Sequence, residues 1–266
     1  MSVAIPAGLV KELREQTGAG MMDCKRALEE TGGDLEAART LLRERGVAQA
    51  GKRAGRQTTE GIVLVTIADG VGAMVAVGCE TEPVARNAEF LAFAEKALEA
   101  VEEGGPNALS ALEEERLALV ARIGENVAIR GAVKVEAGPG ESLAEYVHPP
   151  AHKIGVLVRY RGGFPSAGRR LAMHIAASRP RYLRREDVPA SEIASERAIF
   201  EKQPEVLSKP EEVRSRIVEG MLAKRFFAEV VLLDQAWIHD PAKTVAQALR
   251  EEGVEPLEFW RLALAE

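Results

Sequence analysis

Between Leu9 and Gly46 the chain runs LVKELREQTGAGMMDCKRALEETGGDLEAARTLLRERG, and three short helices are written in it. The first carries Leu9, Val10 and Leu13 on one face and breaks at Thr17-Gly18-Ala19-Gly20, where glycine frees the backbone. The second spans Met21 to Glu30 and is closed by Gly32-Gly33. Asp34 caps a third helix, in which Leu35, Ala38, Leu41 and Leu42 recur at helical spacing and Gly46 reads as the C-terminal stop. Three helices in so few residues enclose a core too small to be robust alone, so residues 1–47 read as a docking module. From Val47 to Thr59 apolar periodicity gives way to Ala, Gly, Lys, Arg, Gln and Thr, which predicts a mobile linker over 48–59.

Beyond it the period changes from helix to strand. Gly61 to Ala68 and Val71 to Cys79 are β-branched and apolar, joined by Asp69-Gly70, the dipeptide of a tight type I′ hairpin. Helices over Ala88 to Glu102 and Leu109 to Ile123 and a strand over Asn126 to Glu136 complete a first unit, residues 60–138. The pattern recurs in strands Leu143 to His148 and Lys153 to Arg161 and a helix Ser166 to Ala177, which predicts two related halves. The second half comprises 139–187 and 231–266: a buried extended run Val230 to Leu233, a helix Lys243 to Glu252 stopped by Gly253, and a strand Leu257 to Ala263.

Residues 188–230 interrupt that half with an antiparallel helical hairpin jointed at Ser208-Lys209-Pro210. Ile193, Ile199 and Val206 face Val213, Ile217, Met221 and Leu222 across its seam, and Pro204 ends or distorts the first arm. The fold class is therefore α+β: a three-helix N-terminal bundle, a two-part core with antiparallel sheets, and an inserted helical pair.

Composition narrows the function. The chain has 266 residues, 46% hydrophobic and 29% charged, with net charge -6. An acidic balance argues against nucleic acid as the primary partner and for a protein. Cys24 and Cys79 stand apart with no CxxC or Cys/His cluster, so neither zinc nor a disulfide framework is indicated, and a reducing cytoplasm is the natural setting. No apolar run nears the roughly 18 residues that cross a bilayer, and MSVAIPAGLVKEL lacks the pattern of a secretory signal. There is no P-loop, no G-x-S-x-G and no catalytic Cys/His arrangement, so no catalytic residue, cofactor or metal is expected and the chain does not read as an enzyme.

Several stretches carry a more specific signal. Leu9 to Gly46, TEGIVLV at Thr59, CETEPVARNAEF at Cys79, KIGVLV at Lys153 and VVLLDQAWIHDPAKTVAQAL at Val230 together resemble, in order, the elongation factor Ts family. The resemblance implies a ubiquitin-associated-like bundle, a two-part core and an antiparallel coiled coil. It also implies a partner, elongation factor Tu, whose GDP is released when its Mg²⁺ and phosphate site is disturbed, and in some members a homodimer or a two-plus-two complex. The runner-up function is a scaffold or chaperone of the same partner that does not accelerate exchange.

In the family pattern a Thr-Asp-Phe-Val motif follows the second core strand, its Phe wedged between partner helices near the metal. Here the motif stands as Thr81, Glu82, Pro83 and Val84, which keeps a carboxylate and replaces the aromatic. On the residues alone this is a strand-to-helix turn, Thr81 capping and Pro83 in the first helical turn. The resemblance implies instead that it contacts the partner. It extends the partner-binding set to Leu13, Thr17, Gly18, Ala19, Gly20, Met21, Met22 and His148. By itself His148 reads as an ordinary surface or packed histidine, and Met21 and Met22 as core or docking surface, with core expected for at least one.

Overall fold

The computed structural model of the protein describes residues 5–265. Helices α1 (Ala7–Thr17), α2 (Met21–Glu30) and α3 (Leu35–Arg53) share a small core of Val10, Leu13, Cys24, Ala27, Leu28 and Ala38. Gly18 adopts φ 67° and closes α1 by donating its N–H to the Arg14 carbonyl, and the Asp34 carboxylate accepts from the Ala37 N–H at the start of α3.

The first half continues with β1 (Glu60–Ala68), β2 (Val71–Cys79), a single turn α4 (Glu82–Ala85), α5 (Ala88–Gly104), a 3₁₀ turn over Pro106–Leu112, α6 (Glu113–Ile123) and β3 (Ala128–Glu136). The second half opens with β4 (Glu141–Val147), β5 (Ile154–Gly162) and α7 (Pro165–Ser178). Helices α8 (Ala190–Glu201), α9 (Pro204–Leu207), α10 (Glu211–Met221) and α11 (Ala228–Val230) follow, the last two joined by a π-helical turn over Leu222–Phe227. The chain ends in a small hairpin β6 (Ala236–Trp237) and β7 (Asp240–Thr244), then α12 (Val245–Glu251) and β8 (Val254–Ala263).

Two three-stranded antiparallel sheets, ordered β1-β2-β3 and β4-β5-β8, carry the core. At the first hairpin Asp69 and Gly70 both take positive φ, 50° and 79°, the geometry a type I′ turn demands. β2 is buried on both faces. Val75 and Val77 pack with Phe90, Phe93 and Leu119 of the helices, whereas Met74 and Ala76 meet Leu157 of the other sheet and Leu264 just past its last strand. The second sheet mirrors this, with Val156, Val158 and Tyr160 against Leu171, Ile175 and Leu249. Each such side chain contributes about 1.5–3 kcal/mol on burial. Gly155 lets the sheets close on each other: a Cβ there would lie 2.5 Å from Val63 Cγ1 and 3.1 Å from Met74 Sδ.

Four local expectations are corrected. Helix α3 does not stop at Gly46 but runs to Arg53, so half of the expected linker is helical. Tertiary packing overrides the glycine signal here: a Cβ at Gly46 would sit 2.8 Å from the Ala121 Cβ of α6, so the missing side chain is what lets α3 lie on the core, and Ala50 is buried there. Beyond α3, Thr58 is buried too.

In the helical pair, Ile199 and Val213 are exposed rather than on the seam, and Phe200 takes the inner position beside Val206, Val218 and Met221. The arm is broken at Lys202-Gln203, and Pro204 opens α9, which turns the faces. The expected extended run at Val230 to Leu233 makes only a bridge, Tyr182 to Val231, before Leu232–Asp234 coil into a 3₁₀ turn. The stretch expected as a helix over Lys243 to Glu252 begins as strand and is helical from Val245.

Candidate functional site: an exposed knuckle and its surroundings

The end of β2 delivers the chain to the Thr81–Val84 motif. Cys79 is buried, and burial, aided by the nearby Glu125 carboxylate, pushes its thiol up to about 12, so it stays protonated and donates to the Thr81 carbonyl at 3.3 Å. Thr81 holds the N-cap position of α4 but its side chain caps nothing. Its hydroxyl donates instead to Glu125 Oε1 at 2.6 Å, and its N–H donates to Glu125 Oε2 at 3.0 Å. Pro83 sits in the first helical turn, as the residues alone predict, while the expected Thr81 cap is absent because its hydroxyl is engaged elsewhere.

Thr81, Glu82 and Pro83 are exposed and Val84 is half-buried against the helical core. Glu82 pairs with Arg86 one turn on, an exposed pair that contributes little stability. Asn87 then caps α5, its side-chain oxygen accepting from the Glu89 and Phe90 N–H groups. The result is a short exposed knuckle held between two fixed elements.

The second predicted patch lies on the bundle. Thr17 donates its hydroxyl to the Leu13 carbonyl at 2.7 Å, the Ala19 N–H donates back to Thr17 Oγ1 at 3.3 Å, and Cys24 Sγ donates to the Ala19 carbonyl. This stitched loop presents Met21 and Met22 at 52% and 62% exposure, so neither is the core residue expected. Leu13 is corrected in the other direction: it is fully buried, because the i, i+3 spacing from Val10 turns it into the bundle core, and it has no free surface to offer a partner.

Arg122, at the end of α6, connects the two patches. A methyl group at Gly18 would collide with its side chain, and its Nε donates to Glu89 at 2.6 Å in the first turn of α5. Arg122 thus touches the bundle loop with one side and the element after the knuckle with the other.

His148 is exposed at the end of β4 and shares a 2.9 Å hydrogen bond with the Tyr146 hydroxyl. The loop that follows it faces the knuckle across a cleft of about 490 Å³, lined on one side by Glu82 and Arg86 and on the other by Pro150 and Lys153. A second cleft of about 500 Å³ separates the bundle from α6, with Leu42, Leu117 and Ala121 in its wall.

The knuckle and the loop after His148 thus share one cleft, and Arg122 links the Thr17–Ala19 part of the bundle loop to Glu89 just beyond the knuckle. Sequence reasoning missed Arg122, Glu125 and Asn126, because Gly124-Glu125-Asn126 looks like any polar turn. Among the described residues no group of three His, Cys, Asp or Glu could hold a metal ion, and no helix is long and apolar enough to cross a membrane.

The family model described as Elongation factor TS matches residues 80–266, from the knuckle to the end of the chain. The chain belongs to the elongation factor Ts family. It is 44% identical over 267 residues to elongation factor Ts of Shewanella amazonensis, covering 99% of this chain and 92% of that protein. Against the Thioalkalivibrio sulfidiphilus elongation factor Ts the identity is 42% over 276 residues, covering 99% and 93%. The Vibrio vulnificus protein gives 44% over 267 residues, again 99% and 93%. As a member of the elongation factor Ts family the chain has its place in translation elongation, and the three predicted patches lie on a body shared along almost its whole length with those relatives.

Proposed function

We propose that this chain binds elongation factor Tu in the cytoplasm and accelerates GDP release by pressing the Thr81–Val84 knuckle against the partner's Mg²⁺ and phosphate site. The observation that carries this reading is the knuckle itself: an exposed carboxylate and proline on a turn anchored at both ends and facing the loop after His148 across a cleft. In this reading residues 5–53 dock on the nucleotide-binding domain of the partner and the two-part core reaches the nucleotide site.

No bond need be made or broken. A P-loop protein holds GDP largely through its phosphates and bridging Mg²⁺, so displacing that metal or the phosphate-binding backbone removes much of the hold. A factor that prefers the empty partner to the GDP-loaded one weakens GDP binding in the complex by the same factor, each ~1.4 kcal/mol of coupling giving about tenfold. The chain is then an exchange factor rather than an enzyme. Pro83 cannot intercalate as an aromatic ring does, so Glu82 and the stiff Pro83 backbone, φ set near −65°, do the displacing.

Release of a fluorescent GDP analogue from elongation factor Tu, followed by stopped flow, tests the proposal. A rate that rises with the concentration of this protein supports it. An unchanged rate at saturation leaves the second reading, a scaffold of the same partner, which the absence of an aromatic at position 83 favours.

A further inference from the structure

Glu125 spends both carboxylate oxygens on one residue, Thr81. One accepts from the Thr81 hydroxyl at 2.6 Å and the other from the Thr81 N–H at 3.0 Å, across 44 positions of sequence. Such two-pronged, charge-assisted acceptance fixes orientation as well as distance. The consequence at Thr81 is specific: a hydroxyl in the N-cap position, which would ordinarily bond to the turn it opens, is drawn away from it. The knuckle's angle is thus set from outside, by the turn that follows α6, rather than by its own cap.

The post that bears this latch is itself fixed on both sides. Gly124 ends α6 at φ 84° with its N–H donating to the Val120 carbonyl at 2.9 Å. Asn126 is buried; its N–H donates to Glu80 Oε1 at 2.7 Å, and its side-chain amide donates to the Ala54 and Arg56 carbonyls at 3.4 and 3.0 Å. Arg56 returns the contact by pairing with Glu80 at 3.2 Å. The segment joining the bundle to the core, the start of β3 and the approach to the knuckle are therefore tied at one turn, and Glu125 is the member of it that reaches Thr81.

We infer that Glu125 is a positioning residue for nucleotide exchange: it holds the Thr81–Val84 knuckle at the angle needed to press on the partner's metal site. The inference deepens the exchange reading and rests on it, but the latch has a readout of its own. A knuckle freed from Glu125 samples many orientations, and a mispositioned group loses rate even where every contacting side chain remains.

The test uses the full chain with Glu125→Ala and Glu125→Gln, and Thr81→Val as a second route should the alanine variant not fold. Amide hydrogen exchange over residues 81–85, urea unfolding and stimulated GDP release are measured on each. In Glu125→Ala, amide exchange over 81–85 is expected to speed by roughly tenfold and GDP release at saturation to slow by roughly tenfold, about what losing a charge-assisted hydrogen bond gives. Global stability should fall by no more than the same ~1.4 kcal/mol per tenfold, leaving the chain folded under the assay conditions. Glu125→Gln should fall between, since an amide retains one acceptor oxygen where the carboxylate has two.

Normal GDP release in Glu125→Ala overturns the inference, whatever the amides do. So does slowed release with unchanged amide exchange over 81–85, which would make Glu125 a direct contact, or slowed release that merely tracks a fall in global stability. Should the parent chain fail to accelerate GDP release, the exchange reading fails by itself. Amide exchange in Glu125→Ala then still decides whether Glu125 sets the knuckle.

Discussion

His174 offers a quantitative test of the packing in the second half. It is fully buried on α7, beside Trp237 with ring centroids 5.1 Å apart. The Ile238 N–H can only donate, and it points to His174 Nδ1 at 3.4 Å, so that nitrogen is the acceptor and Nε2 carries the proton. Nε2 then donates to Gln235 Oε1 at 2.9 Å, consistent with the Gln235 amide donating to the Ser178 and Glu229 carbonyls.

A second proton would have to enter at Nδ1, against a donor and without water. Burial is accordingly the main cause that lowers the imidazole to about 4, with His239 adding to it and the Gln235 bond opposing. Because the folded value lies below the unfolded one near 6.5, the unfolded chain binds more protons in between, and stability is full above 6.5 and lost as pH falls towards 4. The loss attributable to this one ring reaches roughly 2 kcal/mol by pH 5, taking ~1.4 kcal/mol per unit.

Urea unfolding of the parent and of His174→Gln between pH 7.5 and 5 isolates it, because all other titrations are common to both. The variant should be less stable at pH 7.5, having lost ring packing and a hydrogen bond. The parent's advantage should shrink by about 2 kcal/mol on going to pH 5. A difference that stays constant with pH would refute the assignment of a neutral, buried imidazole.

Three further outcomes are expected. Gly155→Ala forces a methyl to within 2.5 Å of Val63 between the two sheets and should cost about 1–3 kcal/mol in chemical denaturation, more than the same change at Gly220, in helix α10, where a Cβ meets nothing within 4 Å. Met21→Ser with Met22→Ser should leave the melting temperature nearly unchanged, since both side chains are exposed, yet weaken binding to elongation factor Tu by calorimetry by roughly tenfold. Glu82→Ala and Pro83→Ala should each slow stimulated GDP release while moving the urea midpoint by under about 1 kcal/mol, because neither side chain is buried; normal release in both would assign the metal displacement to other residues.

Much of the site was legible in outline. The knuckle and His148 could be named only through the resemblance to the elongation factor Ts family, since on the residues alone they read as a strand-to-helix turn and an ordinary histidine, whereas the glycines of the Thr17–Met22 loop mark a local break in a periodic pattern. Their neighbourhood could not be named, since nothing in the spacing of Thr81 and Glu125 or of Gly18 and Arg122 distinguishes those pairs from any other polar or glycine residues in turns. Leu13 was placed on the apolar face of its helix and is buried there, which conflicts with its place among the partner contacts.

The chain by itself determines what short-range physics can determine. Helix α2 spans Met21–Glu30 and strand β2 spans Val71–Cys79, both as the pattern predicts, because periodicity, β-branching and terminal glycines act within a few residues. The Asp69-Gly70 turn and the Asp34 cap belong to the same class.

Tertiary structure decides wherever a residue's fate hangs on a partner far along the chain. Gly46 continues a helix instead of ending it because Ala121 lies against it. Phe200 displaces Ile199 from the inner face because α9 breaks the arm, and Thr81 abandons its cap because Glu125 stands above it. In each case a local preference worth about 1 kcal/mol yields to burial or a charge-assisted hydrogen bond worth as much or more.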